Sequence, residues 1–314
     1  MISPLFMNEF IQQTLNGLAT GSIYALIALG YTMVFGVLRL INFAHGDIYM
    51  IGAMTGYYVA NFLIPLWGGT TLQDGQGSLP IFCLVILSSM GVCGLLGFLM
   101  ERIAYKPLRK SPPIAALITA IGVSLFLEYA GQMVFGADPK FFPPLLSNQS
   151  WLHFDSIVVS PIQTVIFSVS LFLMAVIHFI LKKTQLGKAM RAVSHSHTAS
   201  SLTGIPINRI ISFTFVMGSS LAGAASVLIG ISNPKVEPLM GIMPGLKAFV
   251  AAVLGGIGNI PGAWAGGLLM GLLETYVVGY LSSTYRDALA FVLLILILLI
   301  RPSGLFGKSV PEKV

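Results

Sequence analysis

Residues 181–209, LKKTQLGKAMRAVSHSHTASSLTGIPINR, form the longest polar and basic interval between two long apolar runs of this 314-residue chain. The interval contains no Asp or Glu, and its bases are Lys182, Lys183, Lys188, Arg191 and Arg209. Short loops rich in Lys and Arg stay on the cytoplasmic side of a bilayer, because their transfer across it is unfavourable. The interval therefore predicts which side of a membrane-embedded fold faces the cytoplasm.

The same interval is patterned like a folded element. Leu186, Met190 and Val193 recur at helical spacing, with basic residues between them. Gly204 and Pro206 then follow, as the stop and the turn after a helix would. The pattern predicts a short cytoplasmic helix pair. Two interpretations remain open: a surface on which a partner docks, and a solvated loop that only sets topology.

The composition excludes an ordinary soluble domain. Charged residues make up 9% and hydrophobic residues 55% of the chain, with a mean hydropathy of +0.87, whereas soluble domains contain roughly 25% charged residues. The 34 glycines suit closely packed transmembrane helices. The formal charge of +6 comes from bases concentrated in particular loops, which indicates membrane topology and not nucleic-acid binding.

Apolar runs long enough to cross a bilayer, about 20 residues each, recur along the chain. The predicted spans are residues 10–37, 48–66, 79–100, 114–135, 161–181, 210–231, 263–281 and 288–300. A shorter run, 246–257, fits either a tilted span or a re-entrant half-helix. The predicted fold is an all-α integral membrane protein, a polytopic helical bundle of about eight transmembrane helices plus one short or re-entrant segment. Residues 1–314 are expected to form a single transmembrane domain with a cytoplasmic loop at about 182–209.

The remaining loops alternate in charge. Residues 101–113 contain four bases and one acid, 68–78 contain one acid and no base, and 136–160 contain one base and two acids. We therefore expect 101–113 and 182–209 inside and the other two loops outside. The N-terminus is then outside, and the C-terminal bases are inside if 246–257 crosses. No basic region precedes the first apolar run, and so we expect that run to stay in the protein.

Polar residues first enter the apolar runs at RLINFAHGD, residues 39–47, where Asn42, His45 and Asp47 flank Gly46. Asp47 is expected to cap the following helix and to leave its N-terminus pointed at a small polar cavity. Transporters use such broken helices to hold a substrate carboxylate. The alternative is a tight turn between two spans, with Asp47 as cap and His45 at the interface.

Helix-breaking and charged residues also interrupt other apolar runs. Asn259 and Pro261 break a glycine-rich segment that resembles a discontinuous helix beside a path, and a small-residue packing face is a compatible interpretation. Glu128, Lys247 and Glu274 fall inside apolar runs, where an ionisable side chain should face the interior and be paired. Lys247 and Glu274 are the expected partners, Glu128 is a candidate for facing a pore, and structural hydrogen-bonding roles remain open. The candidate substrate-path residues are Asn42, His45, Gly46, Asp47, Glu128, Lys247, Asn259 and Glu274.

Sequence motifs for catalysis are lacking. The chain contains no GxxxxGKS/T, GxSxG or HExxH motif, and neither cysteine has a metal-ligand pattern around it. We therefore expect no catalytic residue, no metal and no cofactor on this chain.

Four segments resemble a known family: GSIYALIALGYTMVFGVLRLINFAHGDIYMIGA (21–53), ERIAYKPLR (101–109), LKAFVAAVLGGIGNIPGAWAGG (246–267) and RPSGLFG (301–307). They are similar to the LivH-type permease subunit of high-affinity branched-chain amino-acid ABC importers, along essentially the whole chain. The resemblance implies a multi-pass protein of the bacterial inner membrane. It also implies a second, LivM-type permease, two cytoplasmic ATP-binding subunits that hydrolyse the ATP, and a periplasmic substrate-binding protein.

The resemblance gives residues 182–209 a role. Permeases of ABC importers present a short cytoplasmic helix to a groove on the ATPase, often with an EAA…G pattern. Thr198, Ala199, Ser200 and Gly204 fall at that spacing, although the acid of the pattern is missing. The candidate coupling residues are Lys188, Arg191, Thr198, Ala199, Ser200, Gly204, Pro206 and Arg209.

The expected function is that of a non-catalytic pore subunit, embedded in the lipid bilayer, that translocates leucine, isoleucine or valine and has no nucleic-acid partner. A permease for urea or short amides is the alternative within the family. An ion- or proton-coupled secondary transporter is the alternative from another class, and it would use His45 with Asp47, Glu128 and Glu274 along a path. A multipass membrane enzyme is disfavoured, because His, Asp and Glu are not clustered.

Overall fold

The computed structural model describes residues 4–68, 77–147, 152–154 and 157–307. Within these residues the chain forms eleven α-helices: α1 Pro4–Leu38, α2 His45–Leu63, α3 Leu79–Met100, α4 Pro113–Phe135, α5 Pro161–Lys183, α6 Gln185–His195, α7 His197–Leu202, α8 Ile207–Ser232, α9 Ile242–Gly255, α10 Ile260–Tyr280 and α11 Arg286–Ile300. Four short strands lie between them: β1 Lys140–Phe141, β2 Leu152–Phe154, β3 Ile157–Val159 and β4 Lys235–Val236. The expectations for residues 69–76 and for the bases beyond residue 307 fall outside the described residues.

Each predicted span coincides with a helix. Six segments among the described residues are long and apolar enough to cross a membrane: Met7–Leu38, Leu79–Tyr105, Ile114–Phe135, Pro161–Lys183, Ile207–Ser232 and Ser283–Ile300. Helices α2 and α10, at the other two predicted spans, are not among these six. The polytopic helical fold is confirmed, and the count of eight crossings stays a prediction.

The short apolar run predicted at 246–257 corresponds to α9, a helix of 14 residues that begins at Ile242. Helix α8 ends beside the α4–α5 loop, because β4 pairs with β1. Helix α10 also ends there: Gly279 lies against Gln13 of α1, and Gln12 accepts a hydrogen bond from the backbone of Val158 in the α4–α5 loop (2.9 Å). Since α10 has 21 residues and is therefore about 32 Å long, it begins at the opposite end. The chain between α8 and α10 thus passes from one end of the bundle to the other, and its crossing of the bilayer stays a prediction.

Helices α1–α3 and α8–α10 pack in an equivalent way. The most extensive helix contacts are those of α1 with α10 and of α3 with α8. Helices α1 and α8 cross at Gly30 and Gly218, and α2 meets α9 at Gly46 and Gly241; in each pair, a Cβ on either glycine would meet the carbonyl of the other. Such reciprocal contacts are what an approximate two-fold axis between two units produces. The contacts of α1 with α8 and of α2 with α9 are therefore arranged as such an axis would arrange them.

We predict that the α4–α5 loop is external and that α7 is cytoplasmic. Ala137 and Leu202 are exposed at opposite ends of the bundle. In a background in which the exposed Cys83 is replaced by Ser, a membrane-impermeant thiol reagent should label Ala137→Cys in intact cells. The same reagent should label Leu202→Cys only after permeabilisation. The reverse labelling pattern would overturn the topology.

Candidate substrate path and coupling surface

The predicted break between the first two spans is present, but its cap differs from the prediction. Helix α1 ends at Leu38, and Arg39 adopts a φ of 55°, a left-handed conformation that ends a helix. Helix α2 begins at His45 after Ala44, with no side-chain cap hydrogen bond. The expectation that Asp47 caps α2 is therefore wrong, because Asp47 already lies in the first helical turn.

Gly46 brings the N-terminus of α2 against the N-terminus of α9. A Cβ at Gly46 would lie 2.5 Å from the carbonyl oxygen of Gly241 and 3.3 Å from the Cα of Gly245. Helix α9, like α2, has no side-chain cap. The first-turn amides of a helix lack intrahelical partners and carry partial positive charge. Two such N-termini therefore meet in the interior of the bundle, where only glycines permit the approach.

A cavity of about 220 Å³ opens beside this contact. Its polar lining includes Asp47 and Glu128, two of the predicted path residues, together with Ser124. The Ser124 hydroxyl donates a hydrogen bond to Asp47, and Glu128 follows Ser124 by one turn of α4, on the same helix face. Within the described part of the chain, no Lys, Arg or His forms an ion pair with either carboxylate. The cavity therefore has an acidic side that its own walls do not neutralise.

Aromatic and aliphatic side chains form the rest of the cavity wall. Phe43 and Phe249 face each other with ring centroids 6.4 Å apart, and Tyr31 lies 6.1 Å from Phe249. Leu246 and Leu294 also line the space. Tyr31 is 7% exposed, and its hydroxyl has no hydrogen-bond partner among the described residues. An apolar wall with a few polar groups is the usual form of a small-ligand site.

Asn42 and His45 are buried beside the cavity and do not line it. The Oδ1 atom of Asn42 accepts a hydrogen bond from the Tyr105 hydroxyl at the end of the third span (2.8 Å). The His45 ring packs edge-on against Tyr31, with centroids 4.7 Å apart. Neither ring nitrogen of His45 hydrogen-bonds to Asp47 or to another described side chain. The two residues therefore hold the break in place, and the structure does not join His45 and Asp47 into a relay.

Lys247 and Glu274 are partners, as predicted. Their charged atoms lie 3.1 Å apart, and the residues are 4% and 5% exposed. Lys247 Nζ also lies 2.7 Å from an oxygen of Asp287, and the Tyr24 hydroxyl donates a hydrogen bond to Glu274 (2.9 Å). Because each buried charge has several partners, this network ties α9 to α1, α10 and the start of α11.

Asn259 acts as the cap of α10. Its Oδ1 atom accepts a hydrogen bond from the backbone of Gly262 (3.3 Å), and its Nδ2 atom donates one to the carbonyl of Phe306 (2.8 Å). Gly256 and Gly258 adopt φ values of 102° and 91°, which only glycine adopts readily. The predicted interruption of the helix is therefore real, and the Asn259 amide is engaged in closing it.

Residues 185–202 form the predicted helix pair. In α6, Met190 and Val193 are 2% and 0% exposed, whereas Lys188 and Arg191 point to the surface. Leu186, the third apolar residue of that pattern, is 41% exposed. Gly187 takes the position against the bundle, where a Cβ would meet the backbone at the end of α5.

Helix α7 lies outermost in this region. Its Ser200 is 3% exposed, whereas Thr198 and Ala199 are exposed and Leu202 is 84% exposed. Gly204 adopts a φ of 77°, and a Cβ there would meet no atom within 4 Å. The predicted stop at Gly204 is confirmed. Pro206 precedes α8, and Arg209 is exposed in the first turn of that helix.

Sequence reasoning missed Tyr31, Ser124 and Glu101. Ser124 stands four residues before Glu128 and could have been found from that spacing, whereas nothing local distinguishes Tyr31. Glu101 was counted only as a loop acid, yet it is fully buried and accepts hydrogen bonds from Arg109 and from the Ser212 hydroxyl (2.6 Å). This cluster fixes the segment after α3 to the start of α8, beside the helix pair.

The bundle, its broken helices and its interior cavity define a polytopic helical membrane protein of the transport class. The chain matches, over residues 13–298, the family described as branched-chain amino acid transport system / permease component, and it belongs to that family. It is 41% identical to the high-affinity branched-chain amino acid transport system permease protein BraD of Pseudomonas aeruginosa, over 98% of both chains. It is 40% identical to the permease protein LivH of the corresponding system of Escherichia coli K12, over 97% of this chain and 98% of the relative.

A more distant relative is the ribose import permease protein RbsC of Haemophilus influenzae, 26% identical over 98% of this chain and 90% of the relative. No solved structure matches the chain. The relatives are transport permease components, and the chain is a multi-pass inner-membrane protein.

The charge network of α9 generates a stability prediction. Lys247→Met leaves the buried Glu274 carboxylate with the half-exposed Arg286, 3.4 Å away, as its remaining ion-pair partner. The loss of Lys247 should lower the free energy of unfolding by about 3 kcal/mol. Lys247→Met combined with Glu274→Gln removes both charges and should recover part of that loss. Thermal unfolding of the purified permease in detergent measures both variants. A single variant as stable as the wild type would contradict the structural role of the pair.

Proposed function

We propose that this chain is the membrane-spanning permease subunit of an ATP-binding-cassette importer that carries leucine, isoleucine or valine across the inner membrane. The observation that supports it best is the likeness to BraD and LivH over nearly the whole length, since both names describe branched-chain amino acid transport. The cavity beside Gly46 supports it as well, because its walls are apolar and its polar groups are few.

The proposed transport activity requires partner subunits. We propose a second homologous permease, two cytoplasmic ATP-binding subunits and a periplasmic substrate-binding protein. This chain has no phosphate-binding loop motif, and so ATP hydrolysis belongs to the ATP-binding subunits. The permease then contributes the path and a surface that receives the mechanical work.

The cavity argues against the two alternatives. Urea has no apolar part, whereas Phe43, Phe249 and Leu246 surround this space. An ion-coupled transporter needs titratable groups that exchange protons or ions along a path. Glu274 is instead paired with Lys247 and hydrogen-bonded by Tyr24, and His45 forms no hydrogen bond with Asp47.

The substrate is tested by uptake into cells that express this chain with the partner subunits encoded beside it. Labelled leucine should accumulate against its gradient, and labelled urea should not. Depletion of ATP should abolish uptake, whereas a protonophore applied with ATP maintained should leave it intact. Accumulation of urea alone, or uptake that follows the proton gradient, would replace this proposal with one of the alternatives.

Coupling is proposed to run through α7 and the turn at Gly204. Thr198, Ala199 and Leu202 form an exposed surface suited to a groove on an ATPase. The buried face of α6 fixes that surface to the bundle. His197 adds a contact between its ring and the carbonyl of Val37 at the end of α1 (3.2 Å).

Gly204→Val should weaken the contact through which the permease stimulates the ATPase. A β-branched residue is disfavoured at a φ of 77°, by about 1–2 kcal/mol, and so the end of α7 should shift while the spans stay folded. Stimulation of the ATPase by leucine-loaded binding protein in liposomes should fall about tenfold. Gly204→Asn is the matched control, because Asn tolerates the left-handed conformation. If the Val variant retains both ATPase copurification and stimulation, the coupling surface lies elsewhere.

A further inference from the structure

We infer that the cavity beside the Gly46–Gly241 contact binds the zwitterionic head of an α-amino acid. The ammonium group would pair with Asp47 and Glu128, and the carboxylate would lie at the N-termini of α2 and α9. This inference rests on the proposed import function and names the groups of this chain that recognise the substrate.

The acidic side of the cavity favours a cationic group in the ligand. Asp47 is 2% exposed, and Glu128 lines the same space one turn beyond Ser124. An ionised carboxylate in the interior requires a compensating partner. Among the described residues, neither carboxylate has a cationic partner. An ammonium group, with three donors, would supply the missing charge and hydrogen bonds.

The opposite side of the cavity favours an anionic group. Gly46 in α2, Gly241 directly before α9 and Gly245 in the first turn of α9 line the cavity, and neither helix has a side-chain cap. Helix N-termini bind carboxylates through backbone amides. Here the first-turn donors are the amides of Gly46 and Met243, because those of His45 and Ile242 already donate to carbonyls before each helix and residue 244 is a proline. Tyr31 gives independent support for a ligand at this site. It is only 7% exposed, it lines the same cavity, and its hydroxyl has no hydrogen-bond partner among the described residues. That hydroxyl is available to donate a hydrogen bond to the ligand.

The remaining walls select the side chain of the ligand. The aromatic rings of Phe43 and Phe249 and the side chain of Leu246 offer no polar group to a substrate. The cavity, about 220 Å³, has room for a small aliphatic amino acid. The cavity thus has an acidic side, a side with backbone amides from the helix N-termini, and an apolar wall. Together they match a zwitterion with an aliphatic side chain.

The transport test uses the assembled importer with its binding protein in liposomes. Asp47→Asn and Glu128→Gln should each reduce leucine uptake about tenfold, the loss expected for one charge-assisted hydrogen bond. Loaded binding protein should still stimulate the ATPase, because the coupling surface is untouched. Asp138→Asn and Glu237→Gln make the same chemical changes outside the cavity and should transport like the wild type. Glu128 has no hydrogen-bond partner among the described residues, and so Glu128→Gln should not disturb assembly. If the complex with Asp47→Asn fails to assemble, Glu128→Gln alone decides the test.

A binding test separates recognition from transport. Ile242, at the cavity rim, is 45% exposed, and Ile242→Cys, in the Cys83→Ser background and without binding protein, should react with a small thiol reagent. Leucine should slow this reaction, and N-acetylleucine, which lacks the ammonium group, should not. Glu128→Gln and Tyr31→Phe should each weaken the protection by leucine.

The outcomes distinguish the inference from the function on which it rests. A wild-type importer that does not carry leucine would overturn the proposed function. Normal leucine uptake by both carboxamide variants, or equal protection by leucine and N-acetylleucine, would overturn the inference and leave the import function standing.

Discussion

The direct contact between the backbones of Gly46 and Gly241 is the constraint on which the interior of this protein depends. In the hydrocarbon region of a bilayer, backbone amides must find partners within the protein, and irregular backbone occurs only where it is buried or lines a cavity. Helices α2 and α9 both begin at this contact, each without a side-chain cap. A side chain on either glycine would separate the two N-termini, and the cavity beside them would lose its shape. The polar interior can therefore form only because neither Gly46 nor Gly241 has a Cβ atom.

The surrounding elements hold this contact from several directions. The Lys247 network fixes α9 to α1, α10 and α11, and Tyr105 fixes the break before α2 through Asn42. Buried ionic groups of this kind contribute little net stability, but they disfavour alternative packings because an unpaired buried charge is costly. The helix pair α6–α7 packs near the end of α1, directly before the break. A displacement of α7 is therefore connected through rigid elements to the cavity.

Helices α2 and α9 begin at one shared contact between the two groups of helices. Helices α1–α3 and α8–α10 exchange equivalent contacts, and the glycine pairs Gly30–Gly218 and Gly46–Gly241 lie where each unit meets its counterpart. In transporters built from repeats, substrate sites occur at the repeat interface, where interrupted helices from both units meet. The acidic wall comes from α2 of the first unit and from α4, which follows that unit, and the opposing amides come from α2 and α9.

The sequence by itself determined the polytopic helical class, the helices at the predicted spans, the break before α2, the pairing of Lys247 with Glu274 and the helix stop at Gly204. These features follow from apolar run length, local backbone preference and the cost of an unpaired charge in an apolar run, all of which are readable along the chain. It failed where a position is set by a distant segment. Asp47 accepts a hydrogen bond from Ser124 of α4 and does not cap α2. Only the tertiary structure placed Tyr31, Asp47, Glu128 and Phe249 around one cavity, because they come from four helices. Their meeting depends on glycine contacts between segments almost two hundred residues apart.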